Sequence, residues 1–285
     1  MSAQNGPAND PALCGPHSPA RLWQPLWELP RRFDLILTFT ERELAARYRG
    51  SALGLMWVAL TPVMMIGIYT FIFAGIFGAR FGPDGSTWEY ALYLFCGLLP
   101  WMAFQEAVQS SATTIVAHAN LVKRVVFPLE TLPVAQSLAA LANQMFGTLA
   151  LIIATLIIRR GLHLTLLWLP LLVAAQLVAT LGAAWLVAAL GVFLRDTAQI
   201  VSLLLTAWMF LTPIIYPESH VPERYRSFIN SNPFTPLVRS YRRIMFEGAA
   251  PDWLGLAHFA AFAVFLFILG YWWFAKMRKS FADVI

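Results

Sequence analysis

The stretch ELAARYRGSALGLMWVALTPVMMIGIYTFIF, residues 43–73, changes character at Gly50. Charged side chains are dense just before this glycine, and none follows it until Arg80. Such an uncharged run exceeds the roughly 20 apolar residues with which a helix crosses the hydrocarbon core of a bilayer. The stretch therefore predicts a membrane span that begins directly after a cluster of arginines.

The same pattern recurs along the chain. Four more long stretches carry no charge, and a fifth carries a single acid, Glu106. Hydrophobic residues make up 59% of the chain and charged residues 12%, which is unlike a soluble domain. The stretches do not alternate polar and apolar residues, so they predict helices rather than barrel strands. We predict an all-α integral membrane protein with six transmembrane helices, at about 52–78, 90–115, 131–158, 167–194, 198–216 and 253–275.

Two segments precede the first span. Residues 1–30 are rich in proline and lack the apolar region of a signal peptide, so they predict a disordered cytoplasmic tail rather than a cleaved signal. Residues 31–49 predict an amphipathic helix that lies in the membrane interface, with cations at the depth of the lipid phosphates. Its predicted apolar face consists of Phe33, Ile36, Leu37, Leu44 and Tyr48.

Charge patterning bears on the orientation in the membrane. Six spans would bring both termini to one side, and the N-terminal arginines with KMRK (276–279) favour the cytoplasm for that side. Arg159, Arg160 and the arginines between 224 and 243 count against it. We therefore expect cytoplasmic termini, on the basis of the N-terminal arginines and the KMRK segment.

The segment 217–252, between the fifth and sixth spans, is long for a connection. Within it, NPFTPLVRSYRRIMFEG predicts a helix with Thr235 as its N-cap, Pro236 at its first position and Gly248 at its end. We predict short re-entrant or amphipathic outer helices over 220–248 rather than a free loop.

Four motifs occur in a fixed order along the chain: RYRGSALGLMWVALTP (47–62), NLVKRVVFPLETLP (120–133), FLTPIIYP (210–217) and NPFTPLVRSYR (232–242). Each motif alone is weak, but their combined order and spacing are specific. Together with the six predicted spans, they make residues 31–285 resemble the membrane permeases of ABC-type polysaccharide exporters. This family exports O antigen, capsule and teichoic acid.

The resemblance implies an assembly and a task. Two copies would form a homodimer around a continuous channel, and two copies of a separate ATP-binding subunit would dock on it. The substrate would be a lipid-linked glycan that leaves the cytoplasmic leaflet of the bacterial inner membrane. The chain has no G-x-x-x-x-G-K-[ST] motif, so we expect no cofactor on it and expect ATP and Mg on the partner ATPase. Membrane lipids are further expected partners, and nucleic acid is not.

The resemblance also implies how ATP binding reaches the membrane. The loop 119–130 would be the main coupling contact with the ATPase, and the short connection at 195–199 a lesser one. The alternative is a solvated loop that carries positive-inside charge. Three bulky apolar residues in that loop favour a docked partner. The candidate coupling residues are Lys123, Arg124, Val125, Val126, Phe127, Pro128, Arg195 and Asp196.

Arg42, Arg47 and Arg49 stand at the start of the first span. A guanidinium matches phosphate geometry with a rigid fork, which favours recognition of the substrate's phosphate or pyrophosphate linker. Topology and lipid anchoring are the alternative, and the two roles are compatible because the substrate is itself a lipid phosphate.

Glu106 bears on the rival functions. It is the clearest intramembrane acid, so it could line the channel or carry a proton, or it could be satisfied locally by Gln105 or Gln109. An ion-coupled secondary transporter would need more such residues. A membrane transferase acting on lipid-linked sugars would need acidic or histidine clusters, and the histidines show no metal-ligand spacing. We therefore expect a permease that is not an enzyme and holds no metal.

Aromatic and basic residues supply the remaining candidates. Aromatic faces stack on sugar rings, although lipid contact and packing are alternatives for each residue. The candidates for lining the channel are Tyr69, Phe73, Trp208 and Phe210, and those at the outer exit are Arg239, Tyr241 and Arg242. The exit arginines could instead pair with nearby acids such as Glu218, Glu223, Glu247 and Asp252.

Overall fold

The computed structural model describes residues 23, 26–48, 50–51, 53–54, 56–76, 87–123, 127–161, 163–218 and 221–285. Every regular element among these residues is helical. The α-helices are α1 (Phe33–Tyr48), α2 (Met56–Tyr69), α3 (Thr87–Ala117), α4 (Ala119–Val122), α5 (Thr131–Arg159), α6 (Leu169–Phe193), α7 (Thr197–Leu211), α8 (Glu223–Ser231), α9 (Thr235–Arg242), α10 (Trp253–Met277) and α11 (Phe281–Val284). Short 3-10 or π segments adjoin them at Leu29–Arg32, Thr70–Ile76, Leu164–Trp168, Arg243–Glu247 and Arg278–Ser280.

Four helices in the described part of the chain are long and apolar enough to cross a membrane: α3, α5, α6 and α10. The first and fifth predicted spans correspond to shorter apolar helices, Leu60–Ile72 and Thr197–Leu211. In the first, Pro62 lies inside α2, and the helix changes to π geometry at Thr70. In the fifth, α7 ends at Leu211 because Thr212 is extended and the rest of the apolar stretch forms turns.

The N-terminal segment lies against the bundle. In α1, Ile36 and Thr40 are buried, and α1 packs on α5. Phe33 and Leu37 are exposed, so fewer residues of the predicted apolar face pack against the protein than the sequence indicated. The predicted disordered tail, 1–30, differs at its end: Leu29 begins a 3-10 helix, and the ring of Trp23 lies 5.1 Å from that of Tyr271.

Glycines allow the long helices to approach closely. Gly182 of α6 meets the backbone of α10 at Leu266, and Gly270 of α10 meets the backbone of α6 at Gly182. Gly191 of α6 similarly meets the carbonyl group of Ala112 on α3. Small residues at such crossings are typical of membrane helices, because packing rather than water exclusion brings helices together in lipid.

The described part of the segment between α7 and α10 contains two short helices, α8 and α9. Phe234, rather than the predicted Thr235, is the N-cap of α9, and the Thr235 hydroxyl donates to the Ile229 carbonyl at 3.0 Å. The predicted stop is confirmed: Gly248 has a φ of 66° and ends the π segment in the left-handed conformation that glycine adopts without strain.

Candidate functional site

An ion pair joins α1, the predicted interfacial helix, to the long helix α3. Nη1 of Arg47 contacts Oε1 of Glu106, and the Asn143 amide of α5 donates to the same oxygen at 3.0 Å. Glu106 is thus satisfied by Arg47 and Asn143 rather than by Gln105 or Gln109. Arg42 is exposed on α1, and Arg49 lies outside the described residues.

A cavity of about 230 Å³ lies beside this ion pair, between α2, α3 and α5. Its walls are mainly apolar, and its polar lining residues are Thr61, Glu106, Asn143 and Gln144. Because α2, α3 and α5 are far apart in the sequence, only their packing creates it. In the sequence, this polar site is indicated by amides such as Asn143 and Gln144 within an otherwise apolar stretch.

The predicted coupling loop contacts α1. Lys123 is exposed, Phe127 and Pro128 are half-buried, and residues 124–126, which carry Arg124, Val125 and Val126, lie outside the described residues. The ring of Phe127 packs edge-on against Phe39 of α1, with centroids 5.5 Å apart. His118, where α3 ends, also packs on Phe39 and lies 3.9 Å from Glu43. A displacement of this loop would therefore act directly on α1.

The segment predicted to make the lesser contact with the ATPase, residues 195–199, begins in a turn. Arg195 and Asp196 are both exposed in the turn that joins α6 to α7. Asp196 is the N-cap residue of α7, but its side chain makes no capping hydrogen bond. Both side chains are thus available at the surface of this chain.

A buried carboxylate where the predicted coupling loop meets α5 was not anticipated from the sequence. The Glu130 side chain is 1% exposed; its Oε2 accepts from Arg278 at 2.8 Å, and its Oε1 lies 3.5 Å from Arg32. Its backbone oxygen accepts from the Trp185 indole at 3.1 Å. Glu130 thus connects both terminal segments to the loop. Residues so distant in sequence carry no pattern that could have revealed this cluster.

Some of the aromatic residues predicted to line the channel pack against other rings, and one is exposed. Trp208 packs edge-on against Trp101 at 5.5 Å, and its indole donates to Asn232 at 3.0 Å. Tyr69 packs on Phe95 at 5.9 Å. Phe210 is exposed. The Phe73 side chain lies outside the described residues. Among the candidates whose side chains are described, Phe210 has the ring that is most available to a ligand or a second chain.

Only one of the three predicted exit residues reaches the surface. Arg239 is partly exposed and forms a two-point ion pair with Glu218, at 3.0 and 2.6 Å. The hydrogen bond to Glu218 raises the pKa of the Arg239 guanidinium. Tyr241 and Arg242 are 1% and 2% exposed, so their assignment to the exit surface is corrected to the protein interior.

The two buried candidates, Tyr241 and Arg242, form polar contacts between helices in the protein interior. The Tyr241 hydroxyl donates to Gln176 at 2.8 Å and accepts from Gln144 at 3.1 Å, which links α9 to α6 and α5. The Arg242 guanidinium lies 3.7 Å from the centre of the Tyr93 ring and donates to the Ile214 carbonyl at 2.7 Å. These partners lie in the interior, where an unpaired polar group would be costly.

The motif FLTPIIYP contains the helix break after α7. The Tyr90 hydroxyl donates to the Ile215 carbonyl at 2.8 Å, and the Asn232 amide donates to the Leu211 carbonyl at 3.2 Å. Arg242 binds the carbonyl between them, that of Ile214. Non-helical backbone within a membrane protein needs such internal partners. The third and fourth motifs thus interact. The third, FLTPIIYP, supplies carbonyls that lack a helical partner, and the fourth, NPFTPLVRSYR, supplies the donors Asn232 and Arg242.

Comparison with known proteins assigns the chain to a family. It is 32% identical to the O-antigen export system permease protein RfbA of Myxococcus xanthus over 260 residues, which cover 90% of this chain and 98% of that protein. It is 28% identical to the O-antigen export system permease protein RfbA of Klebsiella pneumoniae, over 89% of this chain and 95% of that protein. It is 26% identical to the polysialic acid transport protein KpsM of Escherichia coli, over 80% of this chain and 88% of that protein. Residues 34–246 match the ABC-2 type transporter family, and the chain belongs to that family.

Proposed function

We propose that this chain is the transmembrane subunit of an ABC exporter that moves lipid-linked polysaccharide from the cytoplasmic leaflet across the bacterial inner membrane. The observation that carries the proposal is the similarity to O-antigen export permeases over nearly their whole length. The chain would perform no covalent chemistry itself.

The proposed assembly is a homodimer of six-span subunits with two ATP-binding subunits. ATP and Mg would bind to those subunits, and both termini of this chain would be cytoplasmic. The shorter apolar helices α2 and α7 would complete the six spans. Both carry large exposed apolar side chains, among them Met64 and Ile68 on α2 and Leu203 and Phe210 on α7. Lipid or the second subunit would cover these side chains, and Phe210 would face the channel between the two copies.

The polar interactions of Glu106 argue against the ion-coupled alternative. A carboxylate that carries protons must lose and regain its charge, and a neighbouring guanidinium favours the charged form. Glu106 instead contacts Arg47 and accepts a hydrogen bond from Asn143. Its charge is thereby compensated, which favours a structural or gating role over proton transport.

The first test is a pull-down of the tagged chain from its native host in mild detergent. We expect an ATP-binding subunit at a one-to-one ratio, together with polysaccharide that identifies the substrate. A well-characterised ABC complex, carried through the same detergent, controls for dissociation. Recovery of the chain alone under conditions that preserve the control complex would contradict the proposal.

We predict that the contact between Phe127 and Phe39 transmits the movement of the coupling loop. Edge-on aromatic pairs contribute about 0.5–1.5 kcal/mol, so Phe127→Ala is expected to lower the export rate by about 2- to 10-fold while the ATP-binding subunit still binds. Phe39→Ala should have a similar effect, and the double variant should be little worse than either single variant. Phe33→Ala is the matched control, since Phe33 is an exposed ring on the same helix. Additive losses in the double variant would show that the two rings act independently.

Recognition of the substrate's phosphate is proposed for Arg42, Arg47 and Arg49. We expect Arg47→Gln/Arg49→Gln to abolish surface polysaccharide while the chain still inserts into the membrane. Arg47→Lys/Arg49→Lys separates this role from topology, because lysine keeps the charge but lacks the two-point fork. Lower export in the lysine variant, with unchanged insertion, is the expected result. Full export in the lysine variant would assign these arginines to topology and lipid anchoring.

A further inference from the structure

The cavity between α2, α3 and α5 combines two kinds of surface. Pro62 and Met65 from α2 and Phe95, Leu99 and Met102 from α3 form apolar walls. Glu106, Asn143 and Gln144 form a polar part, and Arg47 contacts Glu106 there. A ligand that fits both surfaces has an apolar chain and a charged head.

The polar part of the cavity adjoins a cation, Arg47, which could bind an anionic head. Arg47 is the cation there, and Glu106 is an anion already bound to it. An incoming phosphate would compete with Glu106, because both are oxygen anions that a guanidinium binds through charge-assisted hydrogen bonds. Asn143 donates to Glu106 at 3.0 Å and would keep the displaced carboxylate partly satisfied. Asn143 Oδ1 is buried and has no hydrogen-bond partner among the described residues, so it could accept from a hydroxyl of the ligand.

The size of the cavity limits what can enter it. About 230 Å³ is several times the roughly 30 Å³ that one water molecule occupies in the liquid, and it is too small for a whole lipid. One stretch of an acyl or prenyl chain would fill it, and the remainder would lie in the bilayer. Val63 and Met64 are exposed on α2 next to the cavity-lining Pro62 and Met65, so the chain could enter along that helix.

We propose that this cavity binds the apolar chain of a phosphorylated lipid, whose phosphate replaces Glu106 on Arg47. The inference rests on the proposed function, because it treats the lipid linker of the substrate as the ligand. Glu106 then acts as an internal competitor that closes the site between transport cycles. Arg47 is released from α3 when the lipid arrives, which couples lipid binding to the position of α1.

The test measures binding of radiolabelled polyprenyl phosphate to the purified full-length chain in detergent. Glu106→Gln removes the competitor and is expected to tighten binding by about tenfold, whereas Arg47→Gln is expected to weaken it by about as much. Ala140→Phe fills the cavity and Met102→Trp narrows its rim, and both are expected to weaken binding. Ala142→Phe is the matched control on α5, because Ala142 does not line the cavity. Thermal unfolding of each variant checks that it is folded.

The binding results show whether the cavity holds a phosphorylated lipid and which class of lipid it prefers. Equal binding by the Ala140→Phe, Met102→Trp and Ala142→Phe variants would overturn the proposal, as would weaker binding by the Glu106→Gln variant. Polyprenol that binds as well as polyprenyl phosphate would also overturn it, because the phosphate would then contribute nothing. Preferential competition by unlabelled polyprenyl phosphate assigns the site to a carrier lipid, and preferential competition by phosphatidylglycerol assigns it to a phospholipid anchor. The pull-down tests the exporter assembly without reference to this cavity, so either proposal can fail alone.

Discussion

Gly270→Ala is expected to destabilise the folded chain by about 3 kcal/mol, near the upper end for overpacked interiors. A Cβ at this position would overlap the Gly182 carbonyl oxygen and would lie 3.1 Å from the Gly182 Cα. Backbone atoms cannot rotate away as side chains do, so α6 and α10 would have to separate. Their mutual contact is extensive, and the separation would therefore disturb the centre of the bundle.

The measurement is thermal unfolding of the purified chain in detergent, followed by size-exclusion chromatography. A loss of this size corresponds to a fall in Tm of about 5 °C, because the entropy of unfolding scales with chain length. Gly67→Ala is the control, because a Cβ on Gly67 of α2 has no atom within 4 Å. Alanine there should be neutral or stabilise by up to about 1 kcal/mol through helix propensity. Equal Tm values for the two variants would show that the α6–α10 crossing is wider than described.

The second large effect is expected at Glu130. Arg32→Gln/Arg278→Gln removes both cations from a carboxylate that is 1% exposed. An uncompensated buried charge costs about 3–5 kcal/mol, so the double variant should unfold at a much lower temperature than the unmodified chain. The N-terminal segment and the C-terminal segment would also lose their shared anchor.

A third substitution tests whether the unpaired charge of Glu130 causes the loss of stability. Adding Glu130→Gln to the double variant neutralises the buried group, and we expect it to recover most of the lost stability. Arg31→Gln/Lys279→Gln is the matched control, since these exposed cations are the sequence neighbours of the two arginines. If the triple variant is no more stable than the double variant, the arginines act through packing rather than through charge.

The membrane-spanning helices could be predicted from the sequence because hydrophobicity along a helix is a local property. The predicted spans 131–158 and 253–275 correspond to α5 and α10 within a few residues. Gly248 ends its helix as predicted, because glycine adopts the left-handed conformation of this stop without a steric penalty. The predicted fifth span ran beyond Leu211, since its last residues are apolar but fold into turns whose carbonyls bind distant donors.

The sequence by itself determined an all-helical membrane protein, the order of its apolar segments and, through four motifs, its family. Only the tertiary structure decided which polar groups meet inside it. Arg47 contacts Glu106, Glu130 lies near both Arg32 and Arg278, and Arg242 is buried over Tyr93. Each of these pairings joins separate segments of the chain, so it depends on how the helices pack. A linear pattern records which residues are charged, but helix packing determines which charges are buried and paired.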